Sequence, residues 1–171
     1  MGGMSGGPEE PVRSVRYTRS NFRSPQDWLK TAADYAAGAR KLCDAGGPAA
    51  PIVHLAWQSA EVSLKALAVG HNIPIEHDLS NVISHLKDNS RITTEEVALL
   101  APYLVAITGS AGYDATRYPI NEPSFWDRKS RQSLTEAAKG ADVVLSFVTS
   151  KLSSTGSALG PTSSATFPAT Q

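Results

Sequence analysis

The chain has 171 residues, enough for one domain with tails. Its 16 basic and 16 acidic side chains cancel, so no whole-molecule field argues for nucleic acid or a membrane surface. One cysteine, Cys43, excludes an intrachain disulfide and gives no sign of an oxidising compartment. The first residues, MGGMSGGPEE, lack the basic-then-apolar order of a signal peptide, and no apolar run approaches the ~20 residues of a membrane span. The expectation is a soluble cytoplasmic protein.

Residues 1 to about 10 are Gly-rich. An arm then carries Arg13, Arg16, Arg19 and Arg23 with no acid between Pro11 and Gln26. Interleaved with Tyr17 and Phe22, these arginines suit phosphate contact and base stacking. The favoured reading is a solvated arm lying across the bundle. Residues 1–22 are therefore read as a flexible arm, basic from residue 13, ahead of a helical bundle over 23–152.

Ser24-Pro25 opens the first helix, with Ser24 as N-cap, Pro25 at the first helical position and Asp27 at the third. Trp28, Ala32, Tyr35, Ala39 and Leu42 recur on its inner face, and Gly46-Gly47-Pro48 stops it. The central helix is PIVHLAWQSAEVSLKALAVG, Pro51 to Gly70. Val53, Trp57, Ala60, Leu64 and Leu67 make one apolar face, and Leu55, Val62, Ala66 and Val69 a second. Between them runs a polar stripe of His54, Gln58, Glu61 and Lys65. A helix apolar on two sides needs neighbours on two sides, which confines the stripe to a groove or a contact. Glu61 and Lys65, at i and i+4, are open to two readings: a structural ion pair or part of a binding groove.

A third helix follows Asp78, its expected cap, with Leu79, Val82, Ile83 and Leu86 on one side. Thr93-Thr94-Glu95-Glu96 reads as a capping box for a fourth helix bearing Val97, Leu100, Leu104 and Ile107, with a kink or restart at Pro102. Gly109, Gly112 and Tyr118-Pro119 end it. A last helix begins near Ser124 and buries Leu134, Ala137, Ala138, Ala141, Leu145 and Val148. From Ser153 the composition becomes Ser/Thr/Gly/Pro-rich, and 153–171 is read as a disordered tail. With no strand alternation, the expected fold is all-α, an up-down bundle of four to five helices.

Chemistry is sparse. His54, His71, His77 and His85 show no metal-ligand spacing, and Cys43 is expected to be a buried, inert thiol. The histidine spacing thus predicts no metal site, and without a phosphate-cradling glycine loop no nucleotide cofactor is expected. Glu76-His77-Asp78-Leu79 reads as a helix cap. Tyr113-Asp114-Ala115-Thr116-Arg117-Tyr118-Pro119 places Tyr113 and Arg117 four apart, where an arginine also satisfies last-turn carbonyls.

In series, these stretches resemble the HEPN domain (higher eukaryotes and prokaryotes nucleotide-binding). The matching residues are Gln58, Ala60, Glu61, Leu64, Lys65, Ala66 and Leu67; then His77, Asp78 and Leu79; then Tyr113, Arg117, Tyr118 and Pro119. Trp28-Leu29 with Asp34-Tyr35 fits the family's first helix more loosely. The resemblance spans roughly residues 22 to 150. It implies a dimeric helical bundle that binds nucleotides or RNA, pairs with a nucleotidyltransferase, or cleaves RNA without metal in toxin–antitoxin and defence systems. RNase members of the family carry Arg-x4–6-His near the last helices. Here none of the nine arginines has a histidine at that spacing, and no histidine follows His85. Metal-free cleavage needs a general base near the 2′-hydroxyl and a cation for the developing phosphate charge. The expectation is a non-catalytic binding module, with an RNase of atypical site or a protein-only scaffold as alternatives. The candidate groove comprises His54, Gln58, Glu61, Lys65, His77, Asp78, Tyr113, Arg117 and Tyr118.

Overall fold

The structure is a computed structural model, and it describes residues 24–75, 79–108 and 130–156. Within them are five helices and no strand: α1 (Pro25–Asp44), α2 (Ala49–Gly70), α3 (Leu79–Asp88), α4 (Thr94–Thr108) and α5 (Arg131–Gly156). The all-α expectation holds.

Caps define the helix starts as the sequence implies. Ser24 accepts from the Asp27 N–H at 3.2 Å while Asp27 Oδ2 accepts from the Ser24 N–H at 3.1 Å, a reciprocal capping box with Pro25 just inside it. Thr93 and Glu96 repeat the device on α4, at 3.2 and 2.9 Å. The α1–α2 turn is closed by Gly46, whose φ of +72° lies in the left-handed region that a side chain resists.

Contacts at the helix ends give the direction of each helix. A β-carbon at Gly70, the end of α2, would stand 2.7 Å from Leu152 and 3.5 Å from Pro25. The start of α1 and the ends of α2 and α5 therefore share one pole. At the other pole Arg131, opening α5, donates to the carbonyls of Gly46 and Gly47. Glu96, in the first turn of α4, pairs with Lys151 near the end of α5 at 2.5 Å. So α1 and α4 run one way, α2 and α5 the other. This is an up-down bundle, with short α3 packed beside α2.

The core sits around α2, where thirteen of 22 residues are buried. The face Val53, Trp57, Ala60, Leu64 and Leu67 is buried throughout. Small residues on the neighbouring arc let α1 approach closely, and Ser59 Oγ donates across the gap to the Ala32 carbonyl at 2.9 Å. On α1 the buried residues are Ala32, Ala36 and Ala39, while Trp28, Tyr35 and Leu42 are half-buried. The three alanines mark the closest approach, and the larger side chains flank it.

Three boundary expectations differ. α4 is continuous through Pro102, without a restart. Pro102 faces outward, where the helix can open slightly toward water and absorb the missing N–H. α5 begins at Arg131 rather than near Ser124, because Ser130 takes the N-cap role and accepts from the Ser133 N–H at 3.1 Å. It then runs to Gly156, past the onset of Ser/Thr-rich composition at Ser153. There Ser153 and Ser154 donate to the Thr149 and Lys151 carbonyls, so their hydroxyls are satisfied within the helix. The N-terminal arm 1–22 and most of the tail lie outside the described residues.

Candidate functional site

The steps of 4, 3 and 4 that align His54, Gln58, Glu61 and Lys65 place them along one side of α2. The structure divides that stripe in two. Near the start of the helix, His54 and Gln58 are half-buried. One turn further on, Glu61 and Lys65 are 4% and 8% exposed, inside the bundle. The outward strip of α2 is instead Leu55, Gln58, Val62 and Val69, all half-buried, so the second apolar face is mostly the helix's outer edge.

Burial determines what Glu61 and Lys65 can do. Lys65 Nζ lies 2.6 Å from Glu61 Oε1, and the two side chains are 10% and 5% exposed. A buried charge without a partner is far more costly than a buried pair. The acid stands one turn before the base, so each neutralises the other without distorting the helix. Ser63, also buried but on the opposite side of α2, donates to the Ser59 carbonyl at 2.7 Å. Of the two readings of this pair, the geometry shown is internal pairing.

Of the other expected groove residues, His77, Asp78, Tyr113, Arg117 and Tyr118 lie outside the described residues, as do Arg13, Arg16, Arg19 and Arg23. Cys43 is half-buried rather than buried, because it falls in the last turn of α1, where the α5 flank covers only one side of it; its Sγ lies 3.7 Å from Thr135 Oγ1. Among the described residues no group of three or more His, Cys, Asp or Glu side chains is placed to hold a metal ion. Nor is any described helix long and apolar enough to cross a membrane.

Other polar contacts were not legible in the sequence. Arg131 forks onto two turn carbonyls, and Arg40 pairs with Asp142 across α1 and α5. Lys151 joins Glu96 while its Nζ stands 5.7 Å from the Phe147 ring centroid. Burial would raise the Glu96 carboxyl, but the Lys151 hydrogen bond, the Thr93 N–H and the Lys151 charge outweigh it and hold it below the ordinary glutamate value. The Glu95 carboxyl is also lowered, chiefly by accepting hydrogen bonds from its own backbone N–H and from the Thr93 side chain. His71, at the C-cap of α2, is lowered by burial and then by the nearby Arg91 charge. These contacts join helices that are distant in sequence, so no local spacing announces them.

A family model described as HEPN domain matches residues 25–152. Two solved structures are similar. TT1696 from Thermus thermophilus is 25% identical with a TM-score of 0.59, over 74% of this chain and 97% of that one. The second, ST0689, described as an archaeal HEPN homologue, is 18% identical with a TM-score of 0.56, over 77% of this chain and 99% of that one. No curated protein matches the sequence.

Proposed function

The chain belongs to the HEPN domain family, and on that premise we propose that it is a non-catalytic nucleotide- or RNA-binding accessory domain. It acts as a homodimer or beside a partner such as a nucleotidyltransferase. The observation that carries this reading is the closure of Lys65 on Glu61. A lysine held in a buried pair is not a free cation for a developing phosphate charge. His54 and Gln58, half-buried on the same stripe, carry hydrogen-bonding groups of the kind that serves recognition. The sequence adds that no arginine has a histidine at the spacing of the family's RNases. In this reading Arg117, with Tyr113, Tyr118, His77 and Asp78, supplies the remaining contacts, and the arginine arm contributes phosphate contacts.

The test is a titration of the full chain with mononucleotides and a short single-stranded RNA. Gln58→Ala, His54→Ala and Arg117→Ala are compared with the parent. Lys65 is not the variant of choice, since its loss leaves a buried carboxylate and confounds binding with folding. Arg117→Ala is expected to weaken binding about tenfold or more, an Arg–phosphate contact being a strong charge-assisted one. Affinity for RNA should also fall steeply with salt. A parent chain that binds neither ligand, or three variants that bind as tightly as the parent, would refute the proposal. Cleavage of total RNA without added metal would refute its non-catalytic part.

A further inference from the structure

The short helix α3 is held differently from the other described helices. It has 10 residues, fewer than the roughly 12–15 at which an isolated helix becomes even marginal in water, so packing must supply its stability. Val82 and Leu86 are its buried side chains, and among the described helices it packs mainly against α2. The ion pairs that cross between described helices lie elsewhere: Arg40 with Asp142 joins α1 to α5, and Glu96 with Lys151 joins α4 to α5.

Two turns of the same kind bracket α3. At the end of α2 the Asn72 N–H donates to the Val69 carbonyl at 3.1 Å, and the Ile73 N–H to the Ala68 carbonyl at 2.9 Å. At the end of α3 the Ser90 N–H donates to the Lys87 carbonyl and the Arg91 N–H to the Leu86 carbonyl, both at 2.8 Å. Each turn is a Schellman motif whose left-handed position is filled by a residue other than glycine, Asn72 at φ 57° and Ser90 at φ 56°. Asparagine adopts that region readily, but a serine there crowds its β-carbon against the following carbonyl. Each turn also delivers a buried isoleucine to the core, Ile73 at 6% and Ile92 at 3% exposed. Arg91 stands near enough to His71 for its charge to be felt there, so the two turns are neighbours.

We propose that α3 is a hinged flap that swings off α2 while the other four helices stay assembled. Ser90 is its strained hinge, and Ile73 and Ile92 are its fixed anchors. Because the anchors are buried, opening does not spread into α2 or α4. Beyond Ile92, α4 is held by buried Leu100 and Ile107 and by the Glu96–Lys151 pair. Opening the flap therefore breaks the contacts of Val82 and Leu86, a small share of what global unfolding breaks. The open form bares the side of α2 that these two residues cover. This motion is independent of the ligand reading, since it requires no ligand.

Hydrogen exchange read by mass spectrometry on the full chain, in buffer and in low urea, tests the flap. Relative to intrinsic rates, amides at 83–89 are expected to exchange about a hundredfold faster than those at 60–67 and 141–148, and with little dependence on urea. Ser90→Gly should slow exchange in α3 about threefold, because glycine removes the crowded β-carbon. A second reading uses thiol labelling in a Cys43→Ser background, with circular dichroism as the check on folding. There Val82→Cys should react much faster than Val144→Cys, although both positions are buried in the closed bundle. Equal protection and equal urea dependence in α3, α2 and α5 overturn the proposal, because α3 then opens only when the whole bundle unfolds. Equal labelling rates at the two cysteines overturn it in the same way. A Ser90→Gly chain whose α3 exchanges no more slowly than the parent's overturns the role given to Ser90.

Discussion

Lys65 Nζ meets Glu61 Oε1 at 2.6 Å one turn apart on α2, with both side chains enclosed by the bundle. Removing either partner strands the other charge. Lys65→Ala and Glu61→Ala are each expected to cost about 3–5 kcal/mol in urea denaturation. The double variant Glu61→Leu/Lys65→Met should recover most of that loss, because it removes both charges and keeps the volume. Single variants as stable as the parent would mean that water reaches the pair.

Gly140 sits where α4 crosses α5. A β-carbon there would lie 3.0 Å from the Tyr103 carbonyl oxygen and 3.3 Å from two Ile107 side-chain atoms. The carbonyl belongs to a helix backbone and yields little. Gly140→Val should therefore destabilise by about 2–3 kcal/mol. In Gly140→Ala the clash is expected to exceed the roughly 1 kcal/mol that alanine contributes in a helix interior. A thermal melt showing Gly140→Ala to be more stable than the parent would contradict this close crossing.

Arg131 ties the start of α5 to the α1–α2 turn through the Gly46 and Gly47 carbonyls. Because the side chain is exposed, solvent weakens the tie. Arg131→Ala should cost about 1 kcal/mol. Lysine cannot present a planar fork to two carbonyls, so Arg131→Lys should rescue little of it. Hydrogen exchange of the Gly46 and Gly47 turn, read beside global stability, reports the loss locally.

Glu96 and His71, two of the three groups whose pKa the fold lowers, give the protein a defined response to acid. The folded-state values of Glu96 and His71 both lie below the ordinary values of 4.5 and 6.5. In each case the unfolded chain takes up a proton first as pH falls, so stability declines. The His71 contribution is complete above pH 6.5 and fades as pH falls from there through the lower folded value. Glu96 contributes fully above pH 4.5 and is lost as pH drops through its own folded value. Denaturation midpoints across pH should show the upper step disappear in His71→Gln and the lower one shrink in Glu96→Gln. A His71→Gln profile superimposable on the parent's between neutral and mildly acidic pH would show that the imidazole is not held neutral.

Much of the fold was legible because its signals are local. Ser24-Pro25 with Asp27, and Thr93 with Glu96, act within one helical turn, and both capping boxes are present. Helical spacing likewise identified the inner face of α2, since a stripe that recurs every turn has only one way to be buried. Three short motifs in series carried the family resemblance. The ends of α5 were less legible: composition marked Ser153 as tail, but serine hydroxyls can bond backward within a helix and let it continue.

The all-α class, the caps, the central helix and the alignment of His54, Gln58, Glu61 and Lys65 on one side of it follow from the chain alone. Whether Glu61 and Lys65 face a ligand or each other does not, because one spacing serves both. Packing in three dimensions brings the two together, since burial depends on which helices surround α2. Neighbours around that half of the helix exclude water, and a lysine and glutamate without water must pair. The same packing left Leu99 and Val105 outside on α4, although their sequence context is as apolar as that of buried Leu100 and Ile107. Apolarity says that a residue seeks cover; which helix face receives it is settled by assembly of the bundle.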